Sequence, residues 1–357
     1  MAKQTNSKDA GGSVPRAPVS LYRKYRPSNF AEVRGQEAVV TVLEAAIKNK
    51  KVAHAYLFAG GRGTGKTSMA RILARALDTV EEDIYEMDAA SNRGIDEIRA
   101  LRDGVSTLPF NSAYKFYIID EAHALTKDAW GALLKTLEEP PAHVIFVLAT
   151  TELDKVPETI ISRCQVYSFT KPTSEVLQKL VQEVAKAEGA SIEPAAAELV
   201  ALMGDGSFRD TLGILQKVLT ISSDTKLTEE EVAKVVGAPS VQLVNEFLEA
   251  VALKQPGEAI GKFHQAIAGG SQPAAFIMLA MQKVRGVLLL RFQPSAASAL
   301  TEQFGADDML YLKDLAGAKG AAINAEVLAQ LITAYVETAR APLPQVPLEL
   351  VLYRLFA

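Results

Sequence analysis

The chain has 357 residues, 48% of them hydrophobic and 22% charged, which supplies a sizeable core and exceeds one ordinary domain, so two or three domains are expected. A net charge of -4 excludes a protein that coats nucleic acid through bulk positive charge, because that affinity comes from Lys and Arg displacing counterions; any DNA contact has to be local. One cysteine, Cys164, offers no partner for an internal disulfide and no thiolate set for zinc, which points to a reducing compartment, the cytoplasm. No apolar run approaches bilayer-crossing length and the first residues lack the apolar stretch of a signal peptide, so no membrane partner is expected.

In chain order, residues 1–20 are rich in Gly, Ser, Lys and Pro without an apolar period and read as a disordered leader. Residues 21–171 alternate short apolar runs with amphipathic segments, the pattern of a parallel sheet covered on both faces. Strands are predicted at Tyr56–Phe58, Ile84–Tyr85, Lys115–Asp120 and Val144–Ala149. Ile95, Ile98, Leu101 and Val105 recur at helical spacing, as do Trp130, Leu133, Leu134 and Leu137. Beyond Lys171 the strand-like runs stop, and Val176, Leu177, Leu180, Val181 and Val184 form a helical stripe. The reading is a helical domain over 172–238 and a second over 239–357, with a turn at Gly269–Pro273.

Gly60–Thr67 (GGRGTGKT) has two glycines separated by four residues, then Lys and Thr, between a predicted strand and a helix whose Met69, Ile72, Leu73, Ala76 and Leu77 share one face. Glycines let backbone N–H groups wrap phosphates, and the helix start turns its positive end toward them. Gly60, Arg62, Gly63, Thr64, Gly65, Lys66, Thr67 and Ser68 are therefore candidate ATP-binding residues, with Lys66 neutralising the outer phosphates and Thr67 offering a hydroxyl to Mg2+. Phe116–Glu121 is an apolar strand ending in two acids; in isolation such a pair is a solvated turn, but beside a phosphate loop Asp120 reads as a magnesium ligand and Glu121 as the group that orients and deprotonates water. The string Asp120–His123 (DEAH) also occurs in one helicase class, which nothing else here supports, and His123 is read as structural.

Leu21–Pro27 (LYRKYRP), Gly35–Glu37 (GQE), His54–Phe58 (HAYLF), Leu133–Pro141 (LLKTLEEPP) and Ile161–Cys164 (ISRC) together resemble the gamma/tau subunits of bacterial DNA polymerase III, the AAA+ motor subunits of the sliding-clamp loader, with replication factor C a more distant relative. The resemblance is strong over residues 21–240 and beyond that lies in helical character and length. It implies an α/β fold, an AAA+ P-loop NTPase with a parallel-sheet core over 21–171, a helical lid over 172–238 and an all-α collar over 239–357. It implies that Arg163 is a finger reaching a neighbouring subunit's ATP, that Thr151 is a first sensor and that Arg209 of Gly206–Asp210 is a second. Arg23, Pro27 and Val33 would close over adenine and ribose, and Arg93 and Gly94 would face DNA.

The family usually carries a four-cysteine zinc insertion after the phosphate-loop helix; here Leu77–Asp83 runs straight to the next strand, so no structural zinc is expected. Implied partners are delta-like and delta-prime-like subunits, further copies of the chain, the beta sliding clamp and primed DNA. With its last residue at Ala357, the chain is expected from the resemblance to be gamma-like in length, without the tail through which tau-like forms bind polymerase and helicase. Two other readings are a related remodelling motor for branch migration or replication restart, and a non-hydrolysing scaffold similar to delta-prime.

Overall fold

The sheet is built from apolar runs so continuous that both faces must be covered. A computed structural model describes residues 19–222, 225–318 and 322–356, so the expected leader lies outside the described residues except for Val19 and Ser20. Five strands, β1 (Ala55–Gly60), β2 (Ile84–Asp88), β3 (Lys115–Asp120), β4 (Val144–Thr150) and β5 (Gln165–Phe169), form a parallel sheet of order β2-β3-β4-β1-β5. The two-residue side-chain period divides each central strand between two cores. Tyr56, Phe58, Phe116, Ile118, Ile145 and Val147 face one way, against α2 (Glu37–Lys48) and α3 (Lys66–Ala76). Leu57, Tyr117, Ile119, Phe146 and Leu148 face the other way, against α4 (Ile95–Val105) and α5 (Lys127–Glu138). Because all strands run parallel, the carboxyl ends of β1 and β3 share one rim on either side of β4, where open α/β sheets gather ligands.

The four predicted strands are present. The sequence reading missed β5, whose Gln165, Val166 and Ser168 are exposed and whose Phe169 alone is buried, so no apolar run marks this edge. Strands also do not stop at Lys171: Ser191–Ile192 (β6) and Lys226–Leu227 (β7) make a two-residue parallel pair, too short to leave a period in the sequence.

Around that pair, α7 (Ser174–Ala187), α8 (Pro194–Met203), α9 (Phe208–Ile221) and α10 (Glu229–Val236) enclose a core of Leu180, Val181, Val184, Val200, Leu212, Leu215 and Val232. The short helix α1 (Leu21–Lys24) packs here and not on the sheet: Leu21 is buried in this core and its amide donates to Gln216 Oε1 at 3.0 Å. The remaining helices are α11 (Val241–Ala252), α12 (Pro256–Ala268), α13 (Pro273–Phe292), α14 (Ala297–Gly317), α15 (Ala325–Thr338) and α16 (Val346–Phe356), which share one apolar core. Between Ile161 and β5 no helix follows the short α6 (Glu158–Ile161).

One expectation needs correction. By length and composition α13, with 20 residues, is apolar enough to cross a bilayer, whereas no such run was expected. Half of it is buried inside the helical core, and Phe276, Ile277, Ala280, Val284 and Val287 pack there. Its Lys283 is buried and pairs with Asp308 Oδ2 of α14 at 2.5 Å; burial pushes this ammonium below the usual lysine range while Asp308 opposes the shift. Asp308→Ala strands that charge and is expected to destabilise the helical region by about 3 kcal/mol, whereas Lys283→Met should cost less. Urea unfolding followed by circular dichroism checks the order of the two.

Candidate nucleotide site

The turn after β1 needs glycine for steric reasons visible at two positions. Gly60 has φ +155° and a Cβ there would overlap the carbonyl of Phe169; Gly63 has φ +69° and a Cβ would overlap Ser207 Oγ. The loop therefore lies against both β5 and the start of α9, and Phe208 N donates to Gly63 O at 3.0 Å. Thr64 Oγ1 donates to Gly61 O at 2.9 Å, and the buried Gln36 braces the loop from behind, its Nε2 reaching Thr170 O at 2.8 Å and Thr64 O at 3.4 Å. Gly65 caps α3, whose first amides open onto the loop.

Lys66 opens that helix and is 6% exposed. Its Nζ donates to Gly60 O and Gly61 O at 2.8 Å each, which uses two of an ammonium's three donors and leaves one for an anion. Burial holds Lys66 below the usual lysine range, Glu121 and Asp120 push it back up, and Arg209 adds to the lowering. A buried cation in this setting gains strongly from a phosphate.

The next residue, Thr67, donates through Oγ1 to Asp120 Oδ2 at 2.7 Å, and Glu121 N donates to Asp120 Oδ1 at 2.9 Å. A hydroxyl and a carboxylate oxygen side by side suit a hard divalent cation that keeps most of its water. Among the described residues no group of three His, Cys, Asp or Glu could hold a metal alone, so Mg2+ here would draw its other ligands from phosphate and water. Glu121 sits at φ +48°, which turns its side chain off the strand, and Glu121 Oε2 accepts from Thr151 Oγ1 at 3.1 Å. Thr150, the residue before Thr151, is buried and turned to His123 Nδ1 at 3.1 Å.

Arg209, in the first turn of α9, extends over the Tyr22 ring at 5.6 Å, close enough to the loop to affect Lys66. Arg23 stays exposed, its guanidinium 5.7 Å from the same ring and its Nε donating to Tyr22 Oη at 3.2 Å. Pro27 and Val33 are half-buried, with Val33 packed on the core beneath α2 and α3. Arg62 is exposed. Sequence reasoning passed over Arg26, whose Nε donates to Ser68 Oγ at 2.8 Å. Burial pushes this guanidinium down and Arg71 adds to that, while Glu86 opposes. The LYRKYRP string contains both Arg23 and Arg26, but only the fold shows which of the two turns inward.

Arg163 does not join this group. Its guanidinium pairs with Glu138 at 2.7 Å and donates to Thr159 O at 2.7 Å, in the segment between α6 and β5. Arg93 is exposed, Gly94 caps α4, and neither belongs to the phosphate loop. Burial pushes the pKa of the Cys164 thiol up to about 12.

A family model described as DNA polymerase III, delta subunit, matches residues 35–92 and 79–173. The tau subunit of DNA polymerase III from Bacillus subtilis is 39% identical over 302 residues, which is 79% of this chain and 54% of the relative. The gamma/tau subunit from Mycobacterium tuberculosis is 38% identical over 303 residues, 78% of this chain and 52% of the relative. The chain thus spans about half the length of these curated relatives. Among solved structures, the RuvB Holliday junction branch migration motor of Thermotoga maritima superposes with a TM-score of 0.51 at 24% identity over 64% of this chain and 79% of that one, a likeness of fold.

Sheet order, phosphate loop and the helices that follow define an AAA+ P-loop fold. The chain belongs to the gamma/tau family of bacterial DNA polymerase III subunits.

Gly63→Ala imposes a strained φ and an overlap with Ser207, and is expected to lower stability by about 1–3 kcal/mol. Thermal melting in the absence of nucleotide reads the effect.

Proposed function

We propose that the chain is an ATP-hydrolysing motor subunit of the replicative clamp loader, acting within the DNA polymerase III holoenzyme to open the beta sliding clamp and load it on primed DNA. The observation that carries this reading is the meeting of Lys66, Thr67, Asp120 and Glu121 on one rim of the sheet. In it, Gly60–Ser68 cradle the triphosphate, and Thr67 with Asp120 hold Mg2+, which neutralises phosphate charge. Glu121 accepts a proton as water attacks the γ-phosphorus and ADP departs, Thr151 orients that carboxylate, and Arg209 brings the lid to the phosphates. Arg26, Pro27 and Val33 border the nucleoside side.

Arg163 would serve the adjoining subunit, which makes the interfaces head-to-tail and calls for delta-like and delta-prime-like partners beside further copies of the chain. Arg93 and Gly94 would meet DNA phosphate without reading bases. The domains would be the AAA+ core over 21–171, the lid over 172–238 and the collar over 239–357. Replication places the protein in the cytoplasm, with no structural zinc in this reading.

A second reading, a non-hydrolysing scaffold, draws on the delta-subunit family match over residues 35–92 and 79–173. ATP turnover separates the two: the motor turns over ATP with its partner subunits and is stimulated by clamp and primed DNA, whereas a scaffold does not. Lys66→Ala should abolish nucleotide binding in a calorimetric titration, and unchanged affinity would overturn the phosphate-loop assignment. Chelating magnesium with EDTA should stop turnover. Arg163→Ala should leave the chain's own ATP affinity unchanged while slowing turnover at the neighbouring site about 10^3-fold or more. Mixed assemblies carrying the variant in one position read which site is lost.

A further inference from the structure

His123, in the turn after β3, has no role in the chemistry above, yet its ring lies between two carboxylates. Nδ1 is 3.5 Å from Glu121 Oε2 and 3.1 Å from Thr150 Oγ1, and Nε2 is 3.2 Å from Glu152 Oε1. The ring is anchored. Its side chain is 15% exposed, and Thr150, buried at the end of β4, has its hydroxyl tied to Glu152 N at 3.0 Å and Glu152 O at 3.2 Å. Glu152 is in turn paired with Lys155 at 2.6 Å.

Glu121 gains from this. It follows the strand at φ +48°, where the backbone alone leaves the side chain several rotamers. Thr151 Oγ1 and His123 Nδ1 both approach the same oxygen, Oε2, and Oε1 accepts no hydrogen bond from the described residues. Two groups fixed by β4 thus hold one oxygen and leave the other as acceptor.

We infer that His123 is a positioning residue that, together with Thr151, fixes the Glu121 carboxylate for its encounter with the attacking water. The inference rests on the proposed role of Glu121 as the base. Misplacing a catalytic group by a fraction of its productive geometry slows the chemical step without weakening substrate binding. A purely structural histidine has a different signature: its loss lowers stability, and turnover falls only as folded protein falls.

The test is steady-state ATP turnover by the full chain with its partner subunits, for His123→Leu, His123→Asn and Glu121→Gln. His123→Leu is expected to lower kcat about tenfold with KM within about twofold. His123→Asn keeps a donor near the place of Nδ1 and is expected to recover most of that loss, with wild-type melting temperature in both. Equal kcat for His123→Leu and wild type overturns the inference, as does an asparagine variant as slow as the leucine one when both melt like wild type. Glu121→Gln separates the two layers. If it is inactive while His123→Leu is normal, only the positioning role fails; if it turns over like wild type, the assignment of the base fails.

Discussion

A buried ammonium governs this end of the molecule. Lys66 has been taken out of water, and its compensation is two backbone carbonyls of the loop it follows, the carboxylates of Asp120 and Glu121 at the end of β3 and the negative charge of any ligand that enters. The carbonyls belong to Gly60 and Gly61, so the cation also holds the loop in the shape that turns its amides outward. Charge, loop shape and helix start are one arrangement. The glycines are the steric condition for it, since any Cβ at Gly60 or Gly63 would push the loop off the surfaces that support it.

Much of this could be read from residue order, for reasons specific to each element. Phe116–Ile119 and Val144–Ala149 are buried on both faces of the sheet and so appear as unbroken apolar runs. The phosphate loop is local in sequence, and its chemistry follows from residue types at fixed spacing. What stayed hidden was long-range or short. β5 is an edge with a single buried residue, β6 and β7 are two residues each, and the inward turn of Arg26 depends on Ser68, 42 positions away. α13 carried the opposite error: its apolar length passed unnoticed because the charged Lys283 and Arg285 interrupt it, and the partner that makes Lys283 tolerable lies 25 residues further on.

His123 shows how a local string misleads in both directions. As part of DEAH it suggests a helicase class, and without that class it becomes a filler in a tight turn. Only the adjacency of β3 and β4 reveals that the turn after one strand faces the threonines ending the other. The pairing register carries Ile118 opposite Val147 and Ile119 opposite Leu148, and this alignment places the two strand ends side by side. Polar groups separated by about thirty residues become a single cluster, and that cluster includes the acid on which hydrolysis would depend.

The helices α7–α10 are fastened to the phosphate loop by contacts of the same long-range kind. The segment Leu21–Arg26 is fastened at both ends, with Leu21 in the core of α7–α10 and Arg26 on Ser68, the third residue of the phosphate-loop helix. Between them Tyr22 lies against Arg209, and Lys24 and Tyr25 reach Glu188 at the end of α7. A second tie runs directly from Phe208 N to Gly63 O. Rotation of α7–α10 against the loop would have to stretch two independent connections, one through the backbone and one through the half-buried Arg26 guanidinium. Close-packed elements shift as bodies and do not deform continuously, so a displacement at either tie is passed to these helices as a unit.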